Sequence, residues 1–107
     1  MAEDTPGVVD VAEEHRFRYV EDGLEAELVY RARDGVLTLV HTGVPDALGG
    51  RGIGGRLVQA AMARARSRGE VVVPRCPYAR SWLEKHPDEA AGVTIDWEAA
   101  GTRPPSA

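Results

Sequence analysis

Five glycines occupy the seven positions from Gly49 to Gly55, in the run Leu48-Gly49-Gly50-Arg51-Gly52-Ile53-Gly54-Gly55-Arg56. Glycine costs a helix about 1 kcal/mol per residue relative to alanine, so this density must be offset by another gain. Without Cβ atoms, successive backbone N–H groups can converge on an anion, and a helix that follows adds its unpaired first-turn donors and the positive end of its dipole. The run therefore reads as a cradle for a pyrophosphate. Gly49, Gly50, Gly52, Ile53, Gly54 and Gly55 would supply backbone donors, with Arg51 and Arg56 adding charge at the rim. The competing reading is a loop that merely joins a strand to a helix; against it, the run leads straight into an amphipathic segment.

Cys76 is the sole cysteine of the chain, which excludes an internal disulfide and any multi-cysteine metal site. As a nucleophile it would need help, because an ordinary free thiol is only a few per cent ionised at neutral pH. A helix starting at Pro77 offers its positive end, and Arg75 or His41 offers charge or a place for a proton. The alternative is a buried, inert cysteine that behaves as a small hydrophobe. His41 lies in register with Leu37 and Leu39, where a histidine is either a hydrogen-bonded core residue or a base. His86, just ahead of Pro87, is placed to cap a helix end.

The elements that must position these residues follow from hydrophobic period. Phe17 and Tyr19 alternate with Arg16 and Arg18; Ala26, Leu28 and Tyr30 alternate with Glu25, Glu27 and Arg31. Leu37, Leu39 and His41 alternate with Val36, Thr38 and Val40. Period two predicts strands that bury one face, and Asp22-Gly23 and Asp34-Gly35 supply the tight hairpins between them. Val8, Val9 and Val11 add a short edge strand. From Ile53 to Arg68 the period becomes helical, with Leu57, Val58, Ala61, Met62 and Ala65 on one side and Gly69 as the stop. The unbroken run Val71-Val72-Val73 then predicts a strand buried on both faces and parallel to the one before the helix. Pro77 opens a second helix that carries Tyr78, Trp82, Leu83 and His86 on one face, and Val93 to Trp97 predicts a last edge strand. The order β-β-β-α-β-α makes the fold α+β (mixed α/β). One domain over residues 8–98 is expected, with disordered ends at 1–7 and 99–107.

Composition narrows the function. The chain has 107 residues, and 13 basic against 17 acidic groups leave a net charge of −4, which argues against nucleic acid as a partner. The basic residues crowd between Arg51 and Arg80, a bias that suits a small polyanion or a solvated helix face. No apolar run approaches the ~20 residues of a membrane span. Met1 to Pro6 is polar and acidic, unlike a signal peptide, so a cytoplasmic location is expected.

Gly50, Gly52 and Gly55 formally satisfy the dinucleotide fingerprint G-x-G-x-x-G. That fingerprint belongs after the first strand of a parallel βαβ unit, with an acidic residue near the end of the next strand. Here the turn follows a hairpin meander and the next strand ends in Arg75-Cys76. A P-loop fails as well, because no Gly-Lys-Ser/Thr follows. On glycine spacing alone, a dinucleotide, a nucleotide and coenzyme A all remain open.

Three motifs in order narrow the choice. The chain reads His41-Thr42-Gly43-Val44-Pro45, then Gly52-Ile53-Gly54, then Val72-Val73-Pro74-Arg75-Cys76-Pro77-Tyr78, and closes on His86-Pro87-Asp88. From about Arg16 to Asp88 it resembles the GCN5-related N-acetyltransferase superfamily, and within it a small single-domain subgroup of acetyltransferase-like proteins. Gly52-Ile53-Gly54 fills the last three places of the superfamily's [Q/R]-x-x-G-x-[G/A] turn. Two positions depart from pattern: Gly49 replaces the opening Gln or Arg, and Gly43 replaces a glutamate that could serve as a general base.

The resemblance implies a minimal acyl-CoA N-acyltransferase fold, acetyl-CoA as cosubstrate and a small-molecule or protein amine as acceptor, with no metal. It implies that backbone groups near Thr42 and Val44 pair with the pantetheine amides, and that the thioester lies near the end of the Val71–Cys76 strand. It also implies two chemical roles: Cys76 as an acyl-accepting nucleophile, and Tyr78 as the acid that returns a proton to the CoA thiolate. Packing of Tyr78 against Trp82 on the inner helix face competes with the second. The expected function is acetyl transfer to an amine, directly or through Cys76. The alternative is a non-catalytic CoA-binding or protein-interaction module, since a chain this short leaves little for an acceptor pocket.

Overall fold

The computed structural model describes residues 7–99; the outer parts of both expected disordered ends, 1–6 and 100–107, lie outside the described residues. Five strands form one mixed sheet in sequential order: β1 (Val8–Val11), β2 (Arg16–Glu21), β3 (Leu24–Arg33), β4 (Val36–Gly43) and β5 (Val71–Pro74). The first three pairings are antiparallel and β4–β5 is parallel. A parallel neighbour needs a crossover, and α1 (Ile53–Arg68) provides it; α2 (Pro77–Lys85) follows β5.

The hairpins form where Asp-Gly predicts them. Asp22 and Gly23 take φ of 55° and 75°, and Asp34 and Gly35 take 53° and 78°, the paired positive angles of a two-residue turn. Alternation then places Phe17, Tyr19, Ala26, Leu28, Tyr30, Leu37 and Leu39 on the inner face, where they meet Leu57, Val58, Ala61, Met62 and Ala65 of α1 in one core. The outer face of β2 and β3 carries a charge ladder instead: Arg16 pairs with Glu14, Glu25 and Glu27, and Arg18 with Glu25.

Helix α1 runs over the predicted span and stops at Gly69, whose φ of 67° is the left-handed cap. The expected last strand shrinks to a single parallel bridge between Ile95 and Val72, held by Val72 N–H to Thr94 C=O and Asp96 N–H to Val72 C=O, both 2.9 Å.

The strand β4 departs from simple alternation. Val29 pairs with His41 but Tyr30 pairs with Leu39, which leaves Val40 as the extra residue of a β-bulge. A bulge reverses which side chains face inward beyond it. His41, expected on the core face with Leu37 and Leu39, is therefore exposed on the outer face beside Gly43, and Thr42 turns inward opposite Leu28.

Candidate active site

The parallel pairing of β4 and β5 is short. It ends at Leu39 and Pro74, closed by Cys76 N–H to Leu39 C=O at 2.9 Å. Pro74 has no N–H to offer and Pro77 starts α2, so the remainder of β4, from Val40 to Gly43, has no β5 partner. The two strands open like a V, and on the helix side the mouth leads into a cleft of about 390 Å3. Thr42, Val44, Leu48, Gly49, Gly50, Gly52, Ile53, Gly54 and Tyr78 line it.

Within the glycine run, the residues serve two different physical ends. Gly50 and Gly52 take φ of 79° and 74°, the left-handed region that turns the chain into α1, and an added Cβ there meets nothing within 4 Å. Gly54 and Gly55 lie inside the helix and are glycine because α2 lies against them. A Cβ on Gly54 would stand 2.6 Å from the Tyr78 hydroxyl, and one on Gly55 2.6 Å from Trp82 Nε1. The first helical hydrogen bond is Arg56 N–H to Gly52 C=O at 3.1 Å, so the N–H groups of Ile53, Gly54 and Gly55 precede it without a carbonyl from an earlier turn. That is a donor cluster at a positive dipole end, inside a cleft.

The arginines expected at its rim go elsewhere. Arg51 pairs with Glu21 and lies 3.7 Å from Asp22, while Arg56 reaches the Tyr19 hydroxyl at 3.4 Å. Neither lines the cleft, and each is drawn off by a nearer polar partner on the β2–β3 hairpin end. Gly55 is likewise taken up by Trp82 and leaves the lining to Gly49, Gly50, Gly52, Ile53 and Gly54.

Cys76 is buried, with 3% of its surface exposed, at the N-cap of α2. Its Sγ lies 3.2 Å from Thr42 Oγ1, so Thr42 stands between the thiol and the cleft. Tyr78 behaves differently from its expected packing: it is 45% exposed, and the buried side chains of α2 are Ala79 and Leu83. At the first turn of the helix it reaches over Gly54 and joins the cleft wall. Burial, and then the nearby Cys76 sulfur, raise its phenol above the ordinary tyrosine value, which keeps it protonated at neutral pH. The face expected to carry Tyr78 with Trp82 holds only in part: Trp82 stacks on His86 at 4.1 Å, and His86 Nδ1 caps the helix by donating to Trp82 C=O at 2.8 Å.

Thr42, Cys76 and Tyr78 thus converge at the mouth, and His41 faces the other way. Sequence reasoning missed the Thr42 side chain as the partner of Cys76 and Leu48 as a buried wall of the cleft. No residue type in Val40-His41-Thr42 announces a bulge. The crowding of Gly54 and Gly55 did carry a signal, since glycine within a helix points to close approach as well as to an anion.

Among the described residues no cluster of His, Cys, Asp and Glu could hold a metal ion, and no helix is long and apolar enough to cross a membrane. A search of curated proteins finds no match. A family model of GCN5-related N-acetyl-transferases does match, over residues 16–93, a span that runs from the first residue of β2 past α2 and holds the whole cleft. With the splayed β4–β5 mouth and the glycine turn inside that span, the chain belongs to the GCN5-related N-acetyltransferase family.

Proposed function

We propose that this protein transfers an acetyl group from acetyl-CoA to an amine. The observation that carries the reading is the cleft itself, which joins the donor cluster at the start of α1 to the unpaired edge of β4 and to Tyr78. In this reading Gly50, Gly52, Ile53 and Gly54 hold the pyrophosphate through backbone N–H groups. Thr42 and Val44 flank the pantetheine with backbone groups that β5 leaves unpaired.

Bound acetyl-CoA supplies a thioester carbonyl. The amine nitrogen forms the new C–N bond as the C–S bond breaks, Tyr78 gives its hydroxyl proton to the departing sulfur, and the proton lost from the amine leaves through solvent to restore Tyr78. A phenol held protonated at neutral pH suits that role. Direct transfer fits better than a route through Cys76, because the thiol is buried behind Thr42 while the Tyr78 hydroxyl meets the cleft.

Calorimetry with acetyl-CoA and with NADPH tests the ligand: acetyl-CoA binds and NADPH does not, and preferential binding of NADPH would sink the reading. Mass spectrometry after incubation with acetyl-CoA tests the route. Direct transfer predicts no acetyl adduct on Cys76 and retained turnover in Cys76→Ala; an adduct that disappears in that variant, together with its activity, would establish the covalent path instead.

A further inference from the structure

Eleven arginines fall among the described residues, and nearly all are engaged. Arg16, Arg18, Arg33, Arg51 and Arg64 pair with carboxylates, Arg56 reaches Tyr19, and Arg66 reaches the carbonyls of Glu89 and Ala91. Arg80 meets Glu84 and the Trp97 ring, and Arg68 is also engaged. Of the eleven, only the side chains of Arg31 and Arg75 have no hydrogen bond, ion pair or ring contact among the described residues.

These two arginines line the same cleft. It measures about 430 Å3, opens on the sheet face away from α1, and is completed by Thr38 and Val40. Register explains the grouping: Arg31 pairs with Thr38, Thr38 with Val73, and Arg75 follows two residues on, so the arginines flank three strands about 10 Å wide. Val40 is the bulge residue, 39% exposed. Strand β4 lines both clefts, this one through Thr38 and Val40 and the other through Thr42, and its pairing with β5 stops at Leu39 and Pro74 between those positions. Two uncompensated cations in a net acidic protein, beside the point where β4 and β5 part, form a recognition surface for an anion.

We propose that the Arg31–Arg75 cleft is the acceptor subsite and that it selects amines carrying a carboxylate or phosphate group. The inference rests on the acetyl-transfer reading. In it the anionic group lies across the guanidinium groups, and the amine reaches the gap beside Val40, opposite the side occupied by acetyl-CoA. Thr38 offers a hydroxyl and Val40 an apolar contact for the linking carbons.

The test follows the Nε–Hε signals of Arg31 and Arg75 by NMR during titration with phosphoethanolamine, β-alanine, ethanolamine and putrescine. Saturable shifts of both arginines with phosphoethanolamine or β-alanine, and none with ethanolamine or putrescine, are expected. The stronger of the two acids identifies phosphate or carboxylate as the preferred group. Arg31→Gln and Arg75→Gln should each weaken binding about tenfold, the size of one lost charged hydrogen bond, while acetyl-CoA affinity stays as in the parent. Equal response to ethanolamine or putrescine, which carry no anionic group, no saturation into the millimolar range, or undiminished binding in both variants overturns the subsite. Calorimetry with acetyl-CoA on the same samples separates the two levels. Acetyl-CoA binding without anion selectivity removes only the subsite, and anion binding without acetyl-CoA binding removes the acceptor role together with the proposed function.

Discussion

Tyr30 and Tyr78 are both tyrosines with phenols held above the ordinary value, but in opposite circumstances. Tyr30 is sealed in the core: its hydroxyl donates to Asp10 and accepts from Arg64 at 2.8 Å, and Arg64 in turn holds Asp10 at 3.0 Å and both oxygens of Glu70 at 3.1 Å. Tyr78 is half exposed, lies against Gly54, and its hydroxyl has no hydrogen-bond partner among the described residues. The comparison shows that a raised phenol is not a functional sign by itself. Where every donor and acceptor is satisfied and closed off, the group holds β1, β3 and α1 together; where a hydroxyl is left unpartnered at a cleft, it remains available to a substrate.

Arg64→Ala breaks the closed Tyr30 cluster and has the largest expected effect. It strands Asp10 and Glu70 beside a cavity, so chemical denaturation should show a loss of about 3–5 kcal/mol. The open cleft responds in rate: Tyr78→Phe should lower turnover about 100-fold or more, as for a lost general acid, while stability moves by less than about 0.5 kcal/mol. A large stability loss with unchanged turnover would assign Tyr78 to packing after all. Tyr30→Phe is the smallest change, about 1–2 kcal/mol for one buried hydroxyl, and it carries a pH signature. Burial, then the Asp10 hydrogen bond, push the Tyr30 phenol up to about 12 in the folded protein. Stability from the protonated phenol is thus complete below the ordinary tyrosine value of about 10 and lost as pH rises through about 12. Denaturation midpoints of parent and Tyr30→Phe should therefore converge over that interval; a constant gap would show that the closed cluster does not depend on the phenolic proton.

Much of the scaffold was legible in residue order because it depends on local rules. Period two in Phe17–Tyr19 and Ala26–Tyr30, the Asp-Gly turns, the helical period from Ile53 and the Gly69 stop each act over a few residues, and the valine run before Pro77 announced a buried parallel strand. The glycine turn was readable for the same reason, and its position between the His-Thr and Cys-Pro-Tyr motifs pointed to the family.

What the tertiary structure alone decided concerns competition among distant partners. One bulge at Val40 sent His41 outward and brought Thr42 to Cys76. Glu21 and Tyr19 claimed Arg51 and Arg56, which the sequence pattern assigned to the cleft, while Arg64 is buried against Asp10 and Glu70. Gly54 and Gly55 became seats for Tyr78 and Trp82, some two dozen residues away. Spacing determines which face of an element a side chain starts on. Which polar group it ends up meeting depends on every other element brought to the same place, because a charge or donor settles on the nearest partner that offsets its loss of water.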